Sequence, residues 1–323
     1  MAYNNLTKKD LQQVNFGKDI PSLLTLTPSV TATSDAGMGI GYSSIYVRGT
    51  DPTRINVTAN GIPLNDSESS QLYWVNMGDF ASSVESMQVQ RGVGTSTNGD
   101  GAFGGSVVLS TAAPALAPSG QVSASYGSYG TYNAGGKISS GLIGEHWMLD
   151  GAYHHTGTDG YVHGTQGKSG SYYGGITYVN TDGTLKLSYK NIGNYEKTGQ
   201  AWNGVTAGND DYSMNAYDGV RTYADMYRLG LGRYNSLYER FEPDWNGGWT
   251  TERYRMADGT LWDKTTDNFW QNHNLLNLAW RIDSHWTTSA TMHYTRGHGY
   301  YDEFRYQNKL KKFGLSDFTL ADG

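Results

Sequence analysis

The chain has 323 residues with 43 glycines, 25 tyrosines, 9 tryptophans, no cysteine and a formal net charge of -6. The lack of cysteine excludes a disulfide framework and cysteine-ligated metal, and an acidic balance without a basic stripe argues against nucleic-acid binding. Hydrophobic residues are 37% and charged residues 17%, no apolar run reaches the length of a transmembrane helix, and Met1–Asp10 lacks the apolar core of a signal peptide. An export signal is expected to lie outside this sequence or to have been removed.

The first predicted element is a short helix within residues 6–30, where Leu11, Val14, Ile20, Leu23, Leu24 and Leu26 supply apolar positions, Pro21 suits a first turn and Pro28 ends the run. Residues 34–41 are glycine-rich and read as a flexible connection. Ile45–Gly49 and Ile55–Ala59 read as strands, the second followed by a tight turn at Asn60-Gly61 and Pro63. Leu72–Gly78 is an aromatic loop or short turn. Val84–Gln90 alternates imperfectly, with Val84, Ser86, Gln88 and Gln90 on one face and Glu85, Met87 and Val89 on the other.

Six glycines then fall between Gly92 and Gly105, too many for an independent sheet and suited to backbone that lies close against something else. The run is no phosphate cradle, because neither the lysine nor the following helix of a P-loop is present. A strand at Ser106–Thr111 closes the unit. Ala112–Gly120 is the clearest boundary, giving residues 1–113 as one domain, 114–120 as a linker and 121–323 as another.

Beyond the boundary, seven segments alternate with period two: 122–129, 132–142, 147–154, 172–179, 185–190, 275–282 and 289–295. The links at 143–146, 181–183 and 283–285 are short, those at 157–167 and 196–268 are long, and only the first, near 127–130, breaks the rule. Long loops at one end and tight turns at the other are the mark of a transmembrane β-barrel. One strand face carries Val, Leu, Ile, Ala, Tyr and Trp; the other is Ser, Thr, Asn, Gly, Lys and His, which suits a lumen holding water or a polar object. The 196–268 loop carries Trp202, Trp245, Trp249, Trp262 and several tyrosines, aromatic surface at the mouth. Seven strands cannot close a bacterial barrel, and one enclosing a unit of about 110 residues needs around 22. The sequence is therefore expected to be the N-terminal part of a longer protein.

Five blocks carry a resemblance: Asp19–Val30, Gly41–Gly49, Asn56–Asp66, Glu85–Gly94 and Asn98–Val107. In this order they resemble the plug and first barrel strands of TonB-dependent outer-membrane receptors, especially those of Bacteroidetes-type bacteria. The resemblance implies an α+β plug domain followed by antiparallel transmembrane β-barrel strands, the barrel incomplete in this chain and 22-stranded in full. It implies a bacterial outer-membrane location and energised import of a scarce nutrient, with the TonB–ExbB–ExbD complex as partner. The ligand expected first is a ferric siderophore, with haem, cobalamin or a glycan as other classes; a surface lipoprotein lid belongs to the glycan-importing branch. It further implies that Arg48, Gly49, Glu85, Arg91, Gly92, Gly101 and Gly104 form the plug core, the two arginines and the glutamate pairing with the barrel wall. No TonB box is evident before Leu6.

Candidate ligand contacts are Tyr73, Trp74, Trp202 and Trp245. His154 and His155 point to opposite strand faces and make a poor metal pair; only His154 and His163 could converge, and neither metal nor cofactor is expected. No nucleophile elbow, His-Glu-x-x-His helix or obvious acid pair appears, so the chain does not read as an enzyme. The alternative is a non-transporting surface β-protein or adhesin that binds glycan through its aromatic loops.

Overall fold

The computed structural model describes residues 2–93, 102–207, 216–217, 220–243, 249–305 and 310–315. Its N-terminal part is a mixed sheet in the order β1-β6-β7-β4-β5, formed by β1 (Ala2–Thr7), β4 (Ile55–Ala59), β5 (Ile62–Pro63), β6 (Val84–Arg91) and β7 (Gly105–Thr111). The hairpin of β2 (Val30–Ser34) and β3 (Ser43–Val47) and the helices α1 (Lys8–Val14) and α2 (Ile20–Leu23) complete it. β4 and β7 are parallel, whereas β1 and β7 flank β6 antiparallel.

Local chemistry explains most of these elements. Asn60 and Gly61 both have positive φ, 50° and 84°, and join Ala59 to its partner Ile62; two such residues in a two-residue loop are what a type I′ hairpin requires. The single helix expected over 6–30 is instead three pieces. Ala2–Thr7 extends along β6, from Ala2 opposite Arg91 to Thr7 opposite Ser86. Thr7 and Asp10 then form a capping box that starts α1, and α2 follows with Pro21 in its first turn. The connection at 34–41 is the turn of the β2–β3 hairpin, with Gly37, Gly39 and Gly41 all at positive φ.

The imperfect alternation of β6 also has a cause. Its register to β7 shifts between Val84, opposite Thr111, and Ser86, opposite Ser110. A bulge at Glu85 therefore lets Val84, Met87 and Val89 all bury although they do not share parity. They join Ile45, Val47, Ile55, Val57, Trp74, Met77, Phe80, Val107 and Leu109 in one core, onto which Leu11, Leu23 and Leu24 pack from the helices. Each such side chain contributes about 1.5–3 kcal/mol by leaving water.

Residues 112–118 lead from β7 to a seven-stranded antiparallel meander: β8 (Ser119–Tyr126), β9 (Tyr132–Ile143), β10 (Trp147–Thr158), β11 (Gly167–Val179), β12 (Leu185–Gly199), β17 (Thr266–Arg281) and β18 (Thr287–Asp302). Between β12 and β17 lie a short parallel pair, β13 (Thr206–Ala207) with β14 (Ala216–Tyr217), helix α3 (Tyr223–Arg228) and the hairpin β15 (Glu239–Pro243) with β16 (Trp249–Arg253). Each long strand pairs with its sequence neighbour, and β8 and β18 are the edges of a barrel-type sheet that does not close among the described residues.

One face of this sheet exposes Trp147, Leu149, Tyr153, Ile176, Leu187, Tyr189, Leu276 and Trp280. The other buries Asp150, His154, Thr156, Ser171, Thr177 and Asn194 against the N-terminal unit. This is the inside-out pattern of a membrane barrel with a filled polar lumen. Several strands outrun their alternation: β12 continues to Gly199 and β17 begins at Thr266. A strand of that length spans roughly 50 Å, about twice the apolar band of an outer membrane even before tilt is allowed for. Beyond Lys190 the inner face still buries Asn194, Glu196 and Thr198, whereas the outer face carries Tyr195 and Lys197 in place of aliphatic residues, so the apolar–polar alternation fades.

Candidate functional site

The N-terminal unit meets the barrel wall through a loop built for close approach. Trp74–Met77 and Phe80–Ser83 are two short 3-10 turns whose buried Trp74, Met77 and Phe80 anchor the loop to the core. Gly78 and Asp79 between them reach outward. A Cβ on Gly78 would stand 2.5 Å from Cβ of Ser169 on β11, so only glycine fits against this wall.

Asp79 is fully buried and sits in the left-handed region at φ 52°. Its Oδ1 accepts from Ser82 Oγ at 2.5 Å, and its Oδ2 accepts from Asn133 Nδ2 on β9 at 2.5 Å and Thr156 Oγ1 on β10 at 3.3 Å. The Asp79 carbonyl accepts from Ser171 Oγ on β11 at 3.0 Å, and the Gly78 carbonyl from Asn194 Nδ2 on β12 at 3.4 Å. Burial pushes the Asp79 carboxyl above its ordinary range, against the lowering effect of the Ser82 hydroxyl, the His154 charge and the wall donors. The sequence reading missed this residue, since a lone Gly-Asp step between aromatic residues carries no periodic signal.

The residues expected to pair with the wall have hydrogen-bond partners inside the N-terminal unit, and Glu85 also lies beside Lys137 and Tyr173 of the wall. Glu85 accepts from Lys8 on α1 at 3.2 Å. Arg91 donates to the Pro28 carbonyl at 3.2 Å and to Asn4 Oδ1 at 3.3 Å. Arg48 and Gly49 take positive φ, 53° and 75°, in the turn after β3, and the Arg48 guanidinium lies over Gly92. Gly104 presses on Thr50, whose Oγ1 a Cβ would meet at 2.0 Å. Gly101, and with it most of the glycine run, lies outside the described residues. On the wall side the basic partner is Lys190 of β12, whose Nζ donates to the Ala112 carbonyl at 2.7 Å and so ties down the exit from β7.

At the other end, the β2–β3 tip meets the long loops. The Ala36 carbonyl accepts from Val162 N at 3.4 Å, and Tyr42 donates from its hydroxyl to Asp267 Oδ2 at 3.1 Å. Edge-to-face contacts run from Tyr42 to Trp202 at 5.9 Å and on to Tyr301 at 5.7 Å between ring centroids. Tyr73 lies close enough to Tyr42 to influence its hydroxyl electrostatically and is 37% exposed. Tyr42, Trp202 and Tyr301 thus form one aromatic chain, whose Tyr42 sequence reasoning did not single out. Trp74 is only 3% exposed within the core and presents no surface to the mouth; Trp245 lies outside the described residues.

The region expected as one long loop is partly folded. Val220, Leu231 and Tyr234 form a small core with Met226, Leu229 and Phe241 packed on it. Arg233 spans to the β10–β11 loop, its guanidinium 5.6 Å from the rings of both Tyr129 and Tyr161. His163 contacts Glu239 at 2.7 Å, whereas His154 faces the lumen, so the two histidines do not converge.

Comparison with known proteins agrees with this geometry. Residues 1–106 match the family described as the TonB-dependent Receptor Plug Domain. The fold is similar to the closed form of the ferric-catecholate import receptor Fiu of E. coli K12, with a TM-score of 0.64 and 15% identity over 93% of this chain and 37% of that one. It is similar to the siderophore receptor PiuA of Acinetobacter baumannii, with a TM-score of 0.63 and 14% identity over 93% and 37%. It is also similar to the ferric yersiniabactin uptake receptor FyuA of Yersinia pestis, with a TM-score of 0.62 and 12% identity over 94% and 41%. At these identities the likeness is one of fold, and the chain spans less than half the length of each. The chain therefore combines a plug domain with a partial barrel of the kind found in TonB-dependent outer-membrane receptors.

Proposed function

We propose that this chain is the plug and leading barrel segment of a bacterial outer-membrane receptor that binds a scarce nutrient and imports it with energy delivered by TonB. Residues 1–113 act as the plug, 114–120 as the linker and 121–323 as barrel and mouth. The observation that carries this reading is the plug seated in the polar concave face of a barrel sheet, whose far face is aromatic and aliphatic. A binding surface would have no use for a buried plug, whereas an importer needs a barrel that is sealed until energised. The alternative of a glycan-binding adhesin accounts for the aromatic loops alone.

The ligand class we favour is a ferric siderophore, since the similar structures described above include receptors named for siderophore import. Tyr73 and Trp202 would contact it at the mouth, with Tyr42 and Tyr301 extending the aromatic surface. The partners are the TonB–ExbB–ExbD complex and outer-membrane lipid; the Bacteroidetes-type assignment rests on the sequence blocks alone, and a surface lipoprotein would follow only if the ligand were a glycan. The test is binding of a panel of ferric siderophores, haem, cobalamin and oligosaccharides to the full-length gene product in detergent. Tight binding of one ferric siderophore is the expected result. Binding of oligosaccharide alone, with no TonB-dependent uptake in cells, would favour the adhesin.

A further inference from the structure

Four consecutive wall strands converge on two consecutive plug residues. β9 and β10 reach the Asp79 carboxylate through Asn133 and Thr156, β11 reaches its carbonyl through Ser171, and β12 reaches the Gly78 carbonyl through Asn194. Asp79 is fully buried and sits at φ 52°, in the left-handed region that aspartate tolerates better than most residues with a Cβ. Among the described residues no lysine or arginine closes on its carboxylate. The titratable wall group facing it is His154 of β10, on which Lys137 of β9 also acts; His155 and Tyr195, on the opposite face of the sheet, only feel its charge. Neither ring nitrogen of His154 has a hydrogen-bond partner.

We propose that Asp79 is the positioning residue that keys the plug into its seat and keeps the barrel sealed, an inference that rests on the importer reading and deepens it. The chemistry of the contact suits a latch that must hold and then let go. A buried carboxylate loses heavily if stripped of its donors while dry, so the seat is specific. A plug–wall ion pair would leave an orphaned charge on the wall when broken. Here no ion pair is broken: withdrawal leaves the amide and hydroxyl groups of Asn133, Thr156 and Ser171 on the wall beside the His154 ring, all of which entering water can satisfy, and a carboxylate on the plug that water solvates. The seat is therefore firm while dry and opens readily once wetted.

The test uses the full-length receptor in the outer membrane of a host and reads leakage of vancomycin, a hydrophilic antibiotic too large for the intact membrane. Asn133→Ala should raise the leak on the order of tenfold, the fold-change of losing one hydrogen bond to a charged group, and Asp79→Ala, which removes the wall bonds from both Asn133 and Thr156, by at least as much. The double variant should leak little more than Asp79→Ala alone, because both changes remove the same contact. Ser82→Ala, which removes a donor within the loop and none from the wall, should leak less than either. A folded barrel, judged by heat-modifiable gel mobility, is required of every variant. If Asp79→Ala does not insert, Asn133→Ala and Thr156→Ala decide, since they strip the carboxylate from the wall side.

Unchanged leakage in the inserted wall variants, or a double variant equal to the product of the singles, would overturn the proposal. Leakage needs no nutrient and no TonB, so the two readings separate. A leaking Asp79→Ala variant of a parent without TonB-dependent uptake would retain the keyed seat and discard the importer.

Discussion

Gly78 of the plug lies so close to Ser169 of β11 that a Cβ at 78 would stand 2.5 Å from the serine Cβ. The wall at this point is read by backbone, and the missing side chain sets the distance at which Asp79 meets Asn133 and Thr156. Gly78→Val should therefore lift the loop off the wall and cost about 1–3 kcal/mol, the usual penalty of overpacking. Urea unfolding of the detergent-solubilised chain measures it. The added variant Ser169→Gly should restore part of the loss, and absence of any rescue would place the strain elsewhere.

The Asn60-Gly61 turn makes a cleaner local test. Gly61 holds φ at 84°, and a Cβ there meets nothing within 4 Å, so space is not the issue. Gly61→Ala should cost about 1 kcal/mol through backbone strain alone. Gly61→Asn should cost less, because asparagine tolerates the left-handed region. Equal losses for the two variants in the same unfolding assay would contradict the turn assignment.

Acid should stabilise the plug in one respect. Asp19, 3% exposed, has its carboxyl pushed well above the ordinary range by burial; the Ser43 hydroxyl, 2.9 Å away, opposes this and the nearby Asp79 adds to it. With its folded pKa raised, the folded state holds a proton that the unfolded chain has released. The resulting stability is fully present below the ordinary carboxylate range and is lost as pH rises through the elevated value. Asp19→Asn, which stays neutral, should flatten the fall in unfolding midpoint from about pH 4 to about pH 8. A slope equal to that of the parent would show that Asp19 is not the group responsible.

Trp202 bridges Tyr42 of the plug and Tyr301 of β18. If the mouth binds the nutrient, Trp202→Ala should weaken binding by roughly tenfold or more, as loss of a central aromatic anchor does. Tyr73→Ala should weaken it less, and Trp74→Phe should leave affinity unchanged because Trp74 faces the core. Isothermal titration with the full-length gene product separates the three.

The Lys8–Glu85 pair, 35% and 43% exposed on its side chains, should matter little. Such half-solvated pairs contribute about 0–1 kcal/mol. Glu85→Gln is expected to shift the unfolding midpoint slightly and to lose that effect at high salt; a large, salt-insensitive loss would mean that Glu85 also engages the wall.

How much of this was legible in the sequence follows from what each residue faces. The seven barrel strands were readable because one face of each is apolar and exposed and the other is polar and turned toward the plug, which writes a period of two into residues such as Leu185, Leu187 and Tyr189. The same strands were cut short at Lys190 and Leu275, since the residues beyond, from Asn191 to Gly199, stand where no apolar face is required. β1 was missed because Ala2–Thr7 has no alternation of its own; the free edge of β6 makes it a strand. The bulge at Glu85 appeared only as a flaw in the pattern. Asp79 was invisible because its meaning depends on Asn133, Thr156 and Ser171, which are 54 to 92 positions away.

The central claim is energised import, and it is tested most directly by uptake in cells. A strain lacking its own receptors would express the full-length gene product, with TonB function intact or removed, and be supplied with labelled ferric siderophores, haem, cobalamin and oligosaccharides in turn. Uptake of one of these that requires both the receptor and TonB is the predicted result. Uptake of none of them, or uptake that continues unchanged without TonB, would contradict it.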